Sequence, residues 1–209
     1  PGEVSLAHRG VLFLDELPEF KRSALEGLRE PMENGSITIS RAAYQSEFPA
    51  RFQLIAAMNP CPCGYWGDPE RDCRCSAQQI QRYQARISGP LLDRIDLQVQ
   101  LTRIPWKEMQ SDQPETSASV RLRVRQGRQI QHTRGELNAT LSLKRLDQVC
   151  ALNQPEEQLL QRVIDRFKLS PRSIHRILKV ARTIADLDAK EQIQATHLGE
   201  AVGYRCLDR

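Results

Sequence analysis

The run Gly10-Val11-Leu12-Phe13-Leu14, closed by Asp15-Glu16, constrains this chain more than any other stretch. Four consecutive apolar residues with β-branched and aromatic members behind a glycine suit a buried strand, and such strands belong to parallel sheets covered by helices. In α/β folds the C-terminal edge of the strands is where ligands bind, so two adjacent carboxylates there are candidates for chemistry. A strand followed by a solvated acidic turn is the competing account.

The neighbouring pattern continues the α/β theme. Between Lys21 and Glu33, Leu25, Leu28 and Met32 recur at spacings of three and four, predicting one helix that ends at Asn34-Gly35. Ser36 to Ser40 alternates polar and apolar residues, and Phe52 to Met58 is a second buried-type strand; Arg41 to Ala50 between them reads as the tip of a hairpin. Cys61 to Cys75, rich in Pro, Gly and Cys, is an irregular insertion, and a helix follows over Ser76 to Ile87. Ile95 to Leu101 returns to alternation and predicts a strand with one wet face.

Residues 1–105 are therefore expected to be one α/β domain, 106–116 a polar linker containing Pro114, and 117–209 an all-α domain. Helices are predicted over Ser117 to His132, Ser142 to Leu152 and Pro155 to Leu169. Another begins with Ser170 as N-cap and Pro171 at its first position and buries Ile174, Ile177, Leu178, Ala181, Ile184 and Ala185. A last one follows the N-cap Thr196.

Composition narrows the class. With 209 residues, 40% of them hydrophobic, the chain can bury one or two cores, while 27% charged residues leave no apolar run long enough for a bilayer. The first residues lack the basic start and apolar centre of a signal peptide, so a soluble, cytoplasmic protein with no membrane partner is expected. The chain also opens without Met and in the middle of a motif, as a piece excised from a longer protein would. A net charge of +4 accounts equally for a solvated surface and for contact with nucleic acid.

The residues suggest several chemical sites. An apolar strand ending in Asp15-Glu16 has the form of a Walker B element: Asp15 would hold Mg²⁺ and Glu16 would polarise the water attacking a γ-phosphate. Cys61, Cys63, Cys73 and Cys75 place four thiols in a Gly/Pro-rich loop, the ligand set of a structural Zn²⁺ site, with two disulfides or free thiols as alternatives. Cys150 and Cys206 stand alone and read as core residues, and His8, His132, His175 and His197 as scattered singles. Arg121, Arg123, Arg125, Arg128 and Arg134 form a basic stretch that suits phosphate contacts or a solvated or subunit-contacting helix.

Four segments occur in one order: Gly10 to Phe20, Leu28-Arg-Glu-Pro-Met-Glu-Asn-Gly35, Ala56-Ala-Met-Asn-Pro-Cys-Pro-Cys-Gly64 and Ser88-Gly-Pro-Leu-Leu-Asp-Arg-Ile-Asp-Leu97. Together they resemble the magnesium-chelatase-related branch of the AAA+ ATPases, most closely its competence-protein type, and Leu169 to Leu187 is similar to that family's C-terminal lid. The resemblance implies a partial AAA+ P-loop core, a parallel sheet with helices and a β-hairpin before sensor 1, followed by a helical lid. It implies that Asn59 is the sensor 1 residue orienting the attacking water, an Asn-Pro turn being the plainer account. Arg94 is similar to the arginine finger that one subunit inserts into its neighbour's ATP site, with Arg86 in reserve and a surface ion pair to Asp93 or Asp96 as the alternative. Arg172 resembles the sensor 2 arginine, and Arg176, one turn later, is placed to substitute for it.

The resemblance further implies a homo-oligomeric, hexameric ring using ATP and Mg²⁺ that remodels or moves along DNA, the hairpin residues Arg41, Tyr44 and Arg51 meeting the nucleic acid in the pore. A motor subunit of a magnesium-chelatase-like complex and a non-enzymatic zinc-dependent binding module are the alternatives. No Gly-x-x-x-x-Gly-Lys-Ser/Thr occurs in the 209 residues. The backbone cradle and Lys for the β- and γ-phosphates are thus missing, and these residues alone are expected to be inactive.

Overall fold

The structure, a computed structural model, describes residues 2–41, 44–101, 104 and 115–205. The chain divides into two compact units, Pro1–Ile95 and Asp96–Arg209. This boundary precedes the one suggested by composition because residues after Ile95 are tied to the helical unit: Asp96 pairs with Arg176, and the Gln98 amide donates to the Tyr204 carbonyl at 2.7 Å. Most of the expected linker, residues 106–114, lies outside the described residues, as does Cys206.

In the first unit a short helix α1 (Glu3–Leu6) precedes β1 (Val11–Leu14), which pairs in parallel with β4 (Gln53–Ala56), Leu12 opposite Leu54 and Leu14 opposite Ala56. Leu12 and Leu14 face a core of Leu17, Leu25, Leu28, Ile87 and Leu91, joined by Met32, Phe52 and Met58. Each fully buried Leu there contributes about 1.5–3 kcal/mol. Val11 and Phe13 point to the other face and are more than half exposed, so β1 is covered on one side among the described residues, where burial on both had been expected.

Three sequence expectations need correction here. The helix predicted over 21–33 is two, α2 (Arg22–Gly27) and α3 (Arg29–Asn34), because Pro31 has no N–H for the Gly27 carbonyl and its ring clashes with that turn. Gly35, at φ 72°, ends α3 in the left-handed conformation. The hairpin is β2 (Ser36–Arg41) with β3 (Tyr44–Pro49), in antiparallel register from Ser36 opposite Pro49 to Arg41 opposite Tyr44. Thus 44–49 is a strand, not part of a tip, and the 52–58 run pairs with β1 instead. Ile95 to Leu101 forms no strand: Gln98 alone bridges Arg205, while Leu97, Val99 and Leu101 are exposed. Alternation needs a neighbouring ladder to become a strand, and the described residues supply none.

After β4 come a loop, α4 (Ala77–Gln84) and α5 (Gly89–Leu92). The helical unit holds α6 (Ser117–Thr133), α7 (Leu143–Val149), α8 (Gln154–Phe167), α9 (Pro171–Leu187) and α10 (Ala195–Gly203). Its core is Leu141, Leu146, Cys150, Ile177, Ala181, Ala185, Ile193, Leu198 and Ala201. Gly127 lets α6 approach α9, since a Cβ there would lie 3.0 Å from Leu187 Cδ2. The Ser170 hydroxyl caps α9 by accepting from the Ser173 amide, as expected. α10 begins one residue before the expected cap: Gln194 is the N-cap, its amide donating to His197 Nδ1 at 3.0 Å. His197 and His8, whose Nδ1 accepts from the Arg51 amide, are satisfied structural residues.

Candidate active site and cysteine centre

The matched register of β1 and β4 brings their C-terminal ends side by side. Asp15 follows β1, and its Oδ1 accepts the Glu16 amide at 2.9 Å. Glu16 turns the chain at φ 51°, a left-handed conformation that costs a non-glycine residue about 1 kcal/mol or more. Its neighbour Leu17 holds that turn by donating to the Ala57 carbonyl at 2.9 Å and burying its side chain. Asn59 lies two residues beyond Ala57. The structure therefore gathers Asp15, Glu16 and Asn59, all exposed, at one sheet edge. Two carboxylates and a neutral amide with nothing buried over them suit a hydrated Mg²⁺ and a polarised water better than a packed core.

Beyond Asn59 the chain enters the cysteine loop. Sγ of Cys61 lies 3.4 Å from Cys63 and 3.7 Å from Cys73, and Cys63 lies 3.6 Å from Cys73; with Cys75, all four sulfurs fall within 4.8 Å of one another. A tetrathiolate with Zn–S of about 2.3 Å has S···S edges of about 3.8 Å. The backbone completes the fit. The amides of Tyr65 and Arg74 bond the Cys63 sulfur, that of Cys75 the Cys73 sulfur and that of Cys63 the Cys75 sulfur. Such donors hold thiolate ligands in place and spread their charge.

The Tyr65 and Arg74 amides pull the Cys63 thiol down to about 6. The Cys75 amide pulls the Cys73 thiol down as well, but burial and its bonds to Cys63 and Cys61 outweigh it and push Cys73 up to about 12. Gly64 and Gly67, at φ 82° and 84°, make the turns that let the backbone wrap the sulfurs. The Asp68 carboxylate caps the Glu70 and Arg71 amides, and Arg71 bonds and stacks on Tyr65.

The loop ends at Cys75, and Ser76 then starts α4 with a reciprocal capping box to Gln79. The far end of α4 returns to the site. Gln84 Nε2 donates to the Pro60 carbonyl at 3.1 Å, and its neighbour Tyr83 is buried. Burial first, then the Glu19 charge, pushes the Tyr83 phenol up. Sequence reasoning passed over Tyr83 and Gln84; the one signal was an amphipathic helix starting directly after a cysteine.

The predicted arginines have distinct surroundings. Arg94, 10% exposed, pairs with Glu33 at 2.5 Å and donates to the Pro90 carbonyl. Its partner is thus a residue of α3, a contact no local pattern announced. Arg86 pairs with Glu19 and donates to the Pro18 carbonyl at 3.1 Å. Arg41 and Tyr44 are the last register pair of the hairpin. Arg51 is outside it: its backbone bonds Arg9 and His8, and its side chain lies over Gly35 at the hairpin's base. In the helical unit Arg172 and Arg176 sit on the first turns of α9, Arg176 ion-paired to Asp96.

The basic stretch divides. Arg121, Arg123, Arg125 and Arg128 are exposed on α6, Arg123 pairing with Glu115. Arg134 departs from the expected patch, because it pairs at 2.5 Å with the fully buried carboxylate of Asp186. Cys150 is a core residue as expected, and burial pushes its thiol up to about 11.

A parallel β-pair ending in adjacent acids, with an asparagine just beyond the neighbouring strand and a helical unit downstream, is the layout of an AAA+ core and lid. Residues 1–109 match the family described as magnesium chelatase, subunit ChlI, and residues 114–205 match the C-terminal part of that subunit. The chain belongs to this magnesium-chelatase-related family of AAA+ ATPases, and within it is of the ComM type. It is 50% identical to the competence protein ComM of Haemophilus influenzae over 212 residues, covering 100% of this chain and 41% of that protein. Against YifB of Escherichia coli the identity is 46%, covering 100% and 42% respectively. The DNA replication licensing factor MCM2 of Arabidopsis thaliana is 30% identical over 96 residues, 46% of this chain and 9% of its own length. The chain spans about two fifths of the length of the ComM and YifB relatives. Among the described residues no helix is long and apolar enough to cross a membrane.

Proposed function

We propose that this chain is part of a ring-forming ATPase that couples ATP hydrolysis to the remodelling or translocation of DNA. The observation that carries the reading is the meeting of Asp15, Glu16 and Asn59 at one edge of the β1–β4 pair. In this reading Asp15 holds the Mg²⁺ of the nucleotide, which supplies charge neutralisation at the phosphates. Glu16 takes the proton of the attacking water and Asn59 orients that water. Arg94 acts on the nucleotide of a neighbouring subunit, Arg172 and Arg176 reach nucleotide from the lid, and a hexamer is the expected ring. Arg41 and Tyr44, at the hairpin's end, offer a cation for phosphate and a ring for base stacking. Arg51, at its base, is the weaker contact.

The DNA assignment draws on the names of the relatives, a competence protein and a DNA replication licensing factor. The family's description as a magnesium chelatase subunit supports a second reading, a motor for metal insertion into a tetrapyrrole. The cysteine loop favours the first, and there we assign one structural Zn²⁺ held by Cys61, Cys63, Cys73 and Cys75. All four positions are filled by thiolates, so such an ion orders the loop and takes no part in hydrolysis.

The deciding experiment measures ATP turnover by the protein extended upstream to include a phosphate loop, with and without single- and double-stranded DNA. DNA-stimulated, Mg²⁺-dependent hydrolysis is expected. Turnover indifferent to DNA would remove the DNA assignment, and no turnover would remove the ATPase itself.

A further inference from the structure

We infer that the zinc-loaded cysteine centre is a clamp that sets the Asn59-Pro60-Cys61 segment against helix α4, with Gln84 as the positioning residue. The inference rests on the zinc assignment above and adds what the ion does for the site.

The centre sits at the junction of two elements. Cys61 follows Asn59 by two residues, and Cys75 directly precedes Ser76, the N-cap of α4. A single ion bonded to both would join the end of the β4 segment to the start of the helix. α4 then runs back so that its last turn meets the same segment, Gln84 donating to the Pro60 carbonyl at 3.1 Å. The stretch Asn59-Pro60-Cys61 is thereby gripped at one end by the centre and at the Pro60 carbonyl by the helix.

The grip reaches the acids too. Just beyond α4, Arg86 donates to the Pro18 carbonyl and pairs with Glu19 at 2.9 Å, in the 3₁₀ turn that follows Glu16. Helix α4 and the turn that follows it therefore touch the chain on both sides of the acidic edge.

The loop offers little else to hold this arrangement. Within residues 61–75 Cys61 is the one fully buried side chain, and Trp66 is about half exposed. A segment with so little packing needs another source of order, and coordination of four thiolates supplies it. A loop closed by metal also loses less freedom on folding than the same loop left open.

The test reads amide hydrogen exchange and zinc content of the intact protein, before and after chelation, alongside Gln84→Ala. With the clamp in place, zinc stands at about one per chain. Chelation then speeds exchange at Asn59, Cys61 and residues 80–84 by roughly tenfold or more, a factor worth about 1.4 kcal/mol, while Ala181 to Ala185 in the helical unit serve as the unchanged control. Gln84→Ala keeps its zinc and speeds exchange at Asn59 and Cys61 alone. In the ATP-hydrolysing protein it lowers kcat with nucleotide affinity unchanged, a split that general unfolding would not produce. Full zinc with identical exchange at Asn59 before and after chelation overturns the clamp and leaves the zinc assignment standing. Protein that binds no zinc, with four reactive thiols, overturns both.

Discussion

Arg94 and Glu33 face each other at 2.5 Å within one protomer, the guanidinium almost covered and the carboxylate nearly half exposed. A residue proposed to act on a neighbouring subunit is thus held, in the single chain, by an acid of α3. The pair is partly solvated, so its contribution to stability is expected to be under about 1 kcal/mol.

If Arg94 works in trans, Arg94→Ala in the extended protein abolishes turnover, by about 10³-fold or more, while assembly and nucleotide affinity persist. Mixing it with Glu16→Gln protein should restore partial activity, because some interfaces then combine an intact Glu16 with an intact Arg94. Steady-state ATPase assays across mixing ratios read this directly; proven subunit exchange without recovery removes Arg94 from the role.

Glu16→Gln should keep ATP binding and lose hydrolysis by about 10²–10⁴-fold, since an amide cannot accept the proton while Asp15 still serves the metal. Nucleotide titration and turnover on the same preparation separate the two effects. Near-normal turnover would exclude Glu16 as the base.

Residues 1–209 alone should hydrolyse no ATP, because they contain no Lys-bearing phosphate loop. A phosphate-release assay with Mg²⁺ checks this, and measurable turnover would show that another cradle exists.

Asp186 anchors the helical unit. Fully buried, it accepts from Arg134, from Arg182 Nε at 3.1 Å and from Asn138 Nδ2 at 2.7 Å. Asp186→Ala leaves two arginines without their counter-charge and should cost about 3–5 kcal/mol in chemical denaturation. Arg121→Ala, on the exposed face of α6, should change stability by less than about 0.5 kcal/mol.

Cys150 gives the same unit a pH dependence. Burial raises its folded-state pKa to about 11 from an ordinary 9.0, so the neutral thiol is favoured in the fold. Stability from this group is complete below about pH 9 and is lost as pH rises toward 11, by about 2–3 kcal/mol in all. Melting curves between pH 8 and 11 should therefore fall less steeply for Cys150→Ala than for the parent protein. Parallel slopes would contradict the burial argument.

The order of elements was legible in the sequence wherever the signal was local. Val11 to Leu14 reads as a strand from its own side chains, and Ser170 reads as a cap because a cap is settled within four residues. The acids and the four cysteines were visible for the same reason, strand ends and close spacing announcing them, whereas Asn59 was singled out by the family resemblance. Choices among distant partners were not. Whether 52–58 pairs with the hairpin or with β1, whether 95–101 finds a ladder, and where Arg94, Arg134 and Tyr83 point all depend on residues tens of positions away. Those contacts are won by burial and charge pairing once the chain has collapsed, so Arg134 left its basic stretch for the buried Asp186 while its neighbours on α6 stayed in solvent. Residue type and spacing determined the candidate chemistry of this protein; only tertiary packing decided which of those side chains share an edge, because that depends on which surfaces bury one another.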